Sequence, residues 1–115
     1  MTTFYVRQGD AKQIRSATLQ STDENGDAVA VDLSSAMSIL WQARHREADT
    51  RVTGVFTKDA DQTANRGKGT FELDGDRFDP TGIWELTFEA TWGDGTVTTF
   101  PEPGSDSLVV SGEIA

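Results

Sequence analysis

Three acidic clusters in this 115-residue chain contain the residue types that bind calcium. They lie at 23–27, 59–61 and 74–79, and the third supplies Asp74, Asp76 and Asp79. Calcium takes roughly six to eight oxygen ligands, which alternating carboxylates can supply in part. Aspartate, asparagine and glycine are also what β-turns require, and no cluster completes an EF-hand with a terminal glutamate. The clusters therefore predict turns, with a weak calcium site at 74–79 as the alternative, and we expect no metal or cofactor.

Residues for covalent or acid–base catalysis are scarce. The chain has no cysteine and one histidine, His45, which disfavours thiolate chemistry, zinc sites and a Ser-His-Asp triad. Glu85 and Glu89 could form the carboxylate pair of a glycosidase, but they alternate with apolar residues on what looks like the polar face of one strand. We expect no catalytic residue and no enzymatic activity.

The basic residues concentrate at Arg44-His45-Arg46. This tripeptide favours a solvated loop between strands, since exposed charge is usually hydrated. The alternative is a contact to an acidic neighbouring subunit, which His45 would make sensitive to pH. Arg7, Arg44, His45 and Arg46 are the candidate subunit contacts.

Acidic residues dominate the composition, with 19 Asp and Glu against 10 Lys and Arg and a formal net charge of -9. This charge repels phosphate backbones, so we expect no nucleic-acid partner. No signal peptide or long apolar run is evident, so we expect no membrane partner either. The acidic excess with only three lysines resembles proteins of salt-loving microbes, although an ordinary acidic surface is the alternative.

The clearest element is the run 83–92, in which apolar and polar residues alternate with a period of two. Gly93-Asp94-Gly95 follows it with the residues of a tight turn, and a second strand follows at 96–100. Similar runs occur at 4–6, 14–19, 29–33, 37–43, 52–57, 70–73 and 108–110. In the run 37–43, Met37, Ile39, Trp41 and Ala43 are expected to face inward.

Helical evidence is weak, because the apolar positions of 34–46 fit a period of two at least as well as a helix. One short helical turn is expected at 79–82. Short strands separated by turn signals predict an all-β, immunoglobulin-like antiparallel β-sandwich of about seven to nine strands, forming one domain over 1–115. A closed barrel is the main alternative. The expected core contains Trp41, Trp84, Leu86, Phe88 and Trp92.

Several segments resemble the immunoglobulin-like N-terminal domain of tailed-phage baseplate upper proteins and related small tail-module proteins. They are the opening 4–10 (Phe-Tyr-Val-Arg-Gln-Gly-Asp), the run 17–19 with its turn, the step 31–36 (Val-Asp-Leu-Ser-Ser-Ala), and the closing hairpin 82–101. The closing hairpin is similar to the family pattern of a tryptophan or tyrosine strand, an Asp-Gly turn and a final Phe-Pro. The chain departs from the family at Asp27-Ala28 and at 104–106.

The resemblance implies a structural virion protein in the tail or baseplate, which contacts other virion proteins in a symmetric multi-copy assembly. With the acidic composition, it suggests a virus of a halophilic archaeon. A capsid decoration or turret protein is the structural alternative, since a sandwich can also bind a capsid lattice. A carbohydrate-binding module is the alternative from another class, and it would need exposed coplanar aromatic residues.

Overall fold

The computed structural model describes residues 2–10, 12–101 and 105–112. Within them the chain forms ten strands and one short 3-10 turn, Gly75–Arg77. The strands are β1 Thr3–Arg7, β2 Gln13–Thr18, β3 Gln20–Thr22, β4 Ala28–Ala30, β5 Ala36–His45, β6 Arg51–Lys58, β7 Lys68–Leu73, β8 Gly82–Trp92, β9 Val97–Phe100 and β10 Asp106–Ser111. No helix in this part of the chain is long and apolar enough to cross a membrane.

The strands build one curled sheet in the order β1-β10-β8-β5-β6-β7-β2, and β3 and β4 form a separate hairpin. The curled sheet forms two layers, one with β1, β10, β8 and β5 and the other with β7 and β2. Strand β6 joins them, because its first half pairs with β5 and its second half with β7. The all-β sandwich expected from the sequence is therefore confirmed. Strand β9 and strand β10 both pair with β8, along different parts of its length, which raises the number of strands. The pair β1–β10 is parallel.

The core lies between the layers and contains eight buried aromatic residues among its aliphatic side chains. Phe71 of β7 contacts Phe4 of β1 and Phe88 of β8, with ring centroids 5.3 and 5.2 Å apart. A second group stacks Phe78 on Trp41 and sets its ring edge-on to Trp84. Edge-to-face contacts of this kind add roughly 0.5–1.5 kcal/mol beyond the burial of area. The two groups fix the layers face to face.

Four of the expected core side chains are fully buried: Trp41, Trp84, Leu86 and Phe88. Trp92 differs, since it is only half-buried at the margin of the core. Its indole N–H donates a 2.8 Å hydrogen bond to Thr98 Oγ1 on the neighbouring strand β9. Trp92 thus covers the end of the β8–β9 hairpin instead of filling the centre of the core.

The expected orientation of Met37 is wrong. A β-bulge between Ala36 and Ser38 shifts the register of β5 against β8, so that Ala36 takes the inward position. Met37 is 73% exposed, whereas Ile39 is buried and continues the inward series. A bulge reverses the direction of the side chains before it without changing the apolar pattern of the sequence. Periodicity alone therefore placed Met37 on the wrong face.

Of the turns predicted from the sequence, the β8–β9 turn is confirmed and the helical turn at 79–82 is wrong. The β8–β9 turn forms as expected, with Gly95 at φ +88°, a conformation that favours glycine. The helical turn expected at 79–82 is wrong, since this segment leads directly into β8. The 3-10 turn lies earlier, at 75–77, where the Asp74 carboxylate accepts a hydrogen bond from the backbone N–H of Asp76. The side chain that caps the turn therefore determines its position.

Candidate interaction surface

Strand β6 leaves one layer for the other at Val55–Phe56. It pairs with β5 through residues 51–55 and with β7 through residues 56–58. Because β6 changes partners, it diverges from β5 beyond Val55 and from β7 before Phe56. Two clefts follow, which we name the β5–β6 opening and the β6–β7 opening.

The β5–β6 opening has a volume of about 320 Å³ and an apolar mouth. Met37, Val55 and Leu40 line it and are 73%, 66% and 46% exposed. At the end formed by Ala36 and Lys58, the Lys58 ammonium donates to three backbone carbonyls, those of Leu33, Ser34 and Ala36, at 3.0–3.1 Å. The ammonium is thus saturated by the chain's own carbonyls, while the apolar mouth faces solvent.

The β6–β7 opening has a volume of about 450 Å³ and an aromatic floor of Trp41 and Phe71. Gly54 lies opposite Trp41 in the strand register, and a Cβ atom on Gly54 would lie 2.5 Å from the indole. The Arg77 guanidinium sits 5.9 Å from the centroid of the Trp41 ring and donates a 2.8 Å hydrogen bond to the Thr53 carbonyl. Arg77 therefore covers the aromatic floor of this opening.

The two openings share Val55, and Ile14 lines the second one with 66% of its side chain exposed. We name Ile14, Met37, Leu40 and Val55 the apolar band. Four of the eight large exposed hydrophobic residues of the described chain thus gather around one strand. An exposed apolar surface of this kind usually marks a contact with another molecule. Sequence analysis missed this band, although the adjacent apolar residues at 39–41 and 55–56 required some of them to face outward.

The basic tripeptide is divided between the surface and the core. His45 is buried, edge-on to Trp84, and its Nε2 lies 3.0 Å from the Thr81 carbonyl. Its Nδ1 accepts hydrogen bonds from the backbone N–H groups of Glu47 and Ala48 at 3.1 and 2.9 Å. His45 is thus a buried residue of β5, and the expectation that it lies in a solvated loop is wrong. Its role at a subunit contact stays a prediction. The histidine connects the β5–β6 turn to the segment before β8.

The neighbouring arginines do lie on the surface. Arg44 pairs with Arg51 of β6 on one side and with Glu85 of β8 on the other. Its Nε is 3.6 Å from Asp49 Oδ1, and Arg46 Nε is 3.9 Å from Glu85 Oε1. Arg7 is exposed at the end of β1, separated from β5 by two intervening strands and thus by about 14 Å. Arg7 does not join the other arginines.

Asp74, among the calcium candidates, and Asp23, in the first acidic cluster, serve as backbone caps. Asp74 caps the 3-10 turn, and among the described residues no group of three or more acidic or histidine side chains converges on one point. In the first cluster Asp23 Oδ1 accepts from the backbone N–H groups of Asn25 and Asp27, both at 2.9 Å. The turn interpretation thus accounts for the geometry of these carboxylates.

Glu85 and Glu89 lie on the outer face of β8, four residues apart. This spacing separates their backbones by about 13 Å, whereas the two carboxyl groups of glycosidases lie roughly 5–9.5 Å apart.

A third, polar groove of about 540 Å³ runs between the edges of β1 and β2. Outside the groove, farther along the same two strands, Arg15 of β2 donates a 3.2 Å hydrogen bond to the Tyr5 carbonyl of β1. Asp106 lines the groove and accepts a 2.9 Å bond from the Thr2 backbone N–H. Desolvation by burial raises the pKa of the Asp106 carboxyl above its ordinary value. The lining of the groove is thus mostly polar, with Phe4 and Ala17 as its apolar side chains.

Comparison with known proteins returned no match, either to a protein-family model or to a curated protein sequence.

Proposed function

We propose that this chain is a structural virion protein of a tailed virus, a baseplate or tail-fibre adaptor that joins other subunits through protein contacts. The observation that carries this proposal is the apolar band around β6. Its members are held on paired strands of a rigid sandwich, and they would be costly to leave in water without a partner. The partners are other virion proteins in a symmetric, multi-copy assembly.

The assignment to the tail rests on the family resemblance. The resembling opening, 4–10, covers β1 and its following turn, and 82–101 is the β8–β9 hairpin with Pro101 after its last residue. The acidic composition supports a halophilic archaeal host. A capsid decoration or turret protein would use the same apolar band, so the position in the particle decides between the two.

A carbohydrate-binding role has weaker support. Sugar platforms need exposed coplanar rings, but Trp41 and Trp84 are buried and Trp92 is half-buried. Tyr5 is the one large aromatic residue that is well exposed in the described chain, at 64%. A single ring offers little stacking surface for an oligosaccharide.

The deciding experiment locates the protein in purified virus particles by mass spectrometry and by imaging particles that carry a tagged copy. We expect density in the tail or baseplate, repeated with the symmetry of that structure. Density on the capsid would replace the tail assignment with the decoration alternative. Absence of the protein from purified particles would overturn the virion role altogether.

The apolar band is tested by Leu40→Thr combined with Val55→Thr. Threonine keeps strand propensity while removing apolar contact area, so folding should change little and incorporation into particles should fall. The matched control is Val97→Thr, since Val97 is 53% exposed on β9 and does not line either opening. Equal incorporation of the double variant and the control would show that the band makes no assembly contact.

A further inference from the structure

The three surface arginines Arg44, Arg46 and Arg51, here named the arginine patch, form an unusual site on an acidic protein. Arg44 and Arg51 are direct cross-strand neighbours on the exposed face of the sheet. Like charges directly opposite each other on neighbouring strands repel and destabilise a sheet. The ion pair of Arg44 with Asp49 is long and exposed, so it offsets this repulsion only weakly. Glu85, on the other side of Arg44 in the register, lies 3.9 Å from Arg46 in a similarly exposed pair.

The opposite end of the molecule carries a complementary group. The hairpin β3–β4 has a turn with three exposed carboxylates, Asp23, Glu24 and Asp27, which we name the acidic tip. No lysine or arginine occurs between Arg15 and Arg44 in the sequence, so the hairpin contains no cation of its own. Its base is fixed to the body by the bond from the Leu19 N–H to the Gly67 carbonyl at 2.7 Å.

One molecule cannot bring these two groups together. Strand β6 begins at Arg51 and ends at Lys58, which pairs with Gly69 near the base of the hairpin. Seven residue steps of a strand span about 23 Å, and the hairpin lies beyond this end of β6. Contact between the arginine patch and the acidic tip therefore requires two molecules.

We propose that the arginine patch binds the acidic tip of a second copy of this chain, in a head-to-tail contact. Guanidinium groups bind carboxylates through paired charge-assisted hydrogen bonds, and the contact would relieve the repulsion between Arg44 and Arg51. If two copies form one such contact, one patch and one tip remain free, and the assembly can grow into a ring or a filament. If the two copies lie antiparallel, both patches and both tips are paired and the dimer is closed.

This contact should depend on salt in both directions. At low salt the net charge of -9 on each copy opposes association. At about 0.1–0.15 M salt the Debye length is about 8–10 Å, so repulsion across a molecule 45 Å long is screened while direct contacts persist. At molar salt the direct contacts weaken as well. We expect maximal association at intermediate salt.

The test is sedimentation equilibrium of the isolated chain up to millimolar concentration. One variant reverses the patch (Arg44→Glu with Arg51→Glu) and another reverses the tip (Glu24→Lys with Asp27→Lys). Each alone should raise the dissociation constant at least tenfold, because each presents like charges at both surfaces. An equimolar mixture of the two should recover association, because every tip then meets a patch of opposite charge.

Matched controls change the net charge equally at other exposed positions. They are Lys12→Glu with Lys68→Glu, and Asp76→Lys with Asp79→Lys, tested separately and as a mixture. The controls should not show loss in both single samples followed by recovery in the mixture. Single reversals at Arg51 and Glu24, checked by circular dichroism, keep the test valid if a double variant fails to fold.

A monomeric wild-type chain at every salt concentration would overturn the proposed contact. Association that rises steadily to molar salt, or a mixture that fails to recover it, would do the same. This inference rests neither on the virion assignment nor on a halophilic host, at whose molar salt the contact would be weak, because its test uses the isolated chain at defined salt. A protein found in particles yet monomeric in solution would contradict only the head-to-tail contact.

Discussion

The two openings beside β6 both arise where this strand changes partners, but the chain itself covers only one of them. In the β6–β7 opening, the Arg77 guanidinium covers the Trp41 ring, so the aromatic floor is protected by the chain itself. In the β5–β6 opening, the Lys58 ammonium is bound by backbone carbonyls near the start of β5. Met37, Leu40 and Val55 stay exposed. The floor of the first opening is therefore part of the folded core, whereas the exposed side chains of the second form a surface that a partner can cover.

The largest effect should come from truncating the floor of the closed opening. Trp41→Ala removes a fully buried ring that packs on Phe71 and Phe78, and should cost about 3–5 kcal/mol of unfolding free energy. Met37→Ala in the other opening should stay within about 0.5 kcal/mol, because Met37 is 73% exposed. Urea denaturation measures both. Similar losses for the two variants would contradict the distinction between core and partner surface.

A smaller effect is expected at Gly54, where the closed opening has no space for a side chain. The added methyl group of Gly54→Ala would lie 2.5 Å from the rigid Trp41 indole, so the strand or the ring must move. Overpacking of this kind costs about 1–3 kcal/mol. Gly93→Ala is the control, since its Cβ would meet nothing closer than 4.0 Å and Gly93 is not among the glycines with positive φ. Thermal unfolding of the two variants should separate them clearly.

The sequence predicted those parts of the fold that depend on a local pattern. Strand β8 and its hairpin follow from strict alternation and from the Gly95 turn. The apolar band could not be predicted in the same way, because it depends on where β6 changes partners and on the bulge before Ser38. His45 was misassigned because its burial depends on Trp84, which is 39 positions away in the sequence. Contacts between distant strands determine both features, and periodicity carries no information about them.

Lys58 and Arg77 are the cations that line the two openings, and their contributions to stability can be compared directly. Lys58→Met removes three charge-assisted hydrogen bonds and leaves carbonyls near the start of β5 without their donor, which should cost about 1–3 kcal/mol. Arg77→Met removes one such bond and the contact with the Trp41 ring, and because Arg77 is exposed we expect about 1 kcal/mol. Chemical denaturation of both variants at the same ionic strength gives the order. A greater loss of unfolding free energy in Arg77→Met would show that the guanidinium stabilises the fold more than the ammonium does.

The smallest effect should be a pH dependence of stability that arises at Asp32, which is linked through Ser34 to the Lys58 ammonium. Hydrogen bonds from the Ser34 side chain and then the Ser34 backbone hold the pKa of the Asp32 carboxyl below its ordinary value. The Ser34 carbonyl in turn accepts from Lys58. A carboxyl whose pKa is lowered by folding stabilises the protein above its unfolded pKa of about 3.9, and this contribution is lost as pH falls through the folded pKa.

Asp32→Asn should therefore reduce the loss of stability on acidification, while leaving the remaining acid transition in place. Asp94→Asn is the matched control, because Thr96 lowers the pKa of Asp94 by the same kind of hydrogen bonds in the distant β8–β9 turn. The two variants should flatten the acid limb alike, but only Asp32→Asn should change the protection of amide protons in the first residues of β5. Equal protection in both variants would show that the Asp32 carboxylate does not affect the hydrogen bonds between the Lys58 ammonium and the carbonyls near the start of β5.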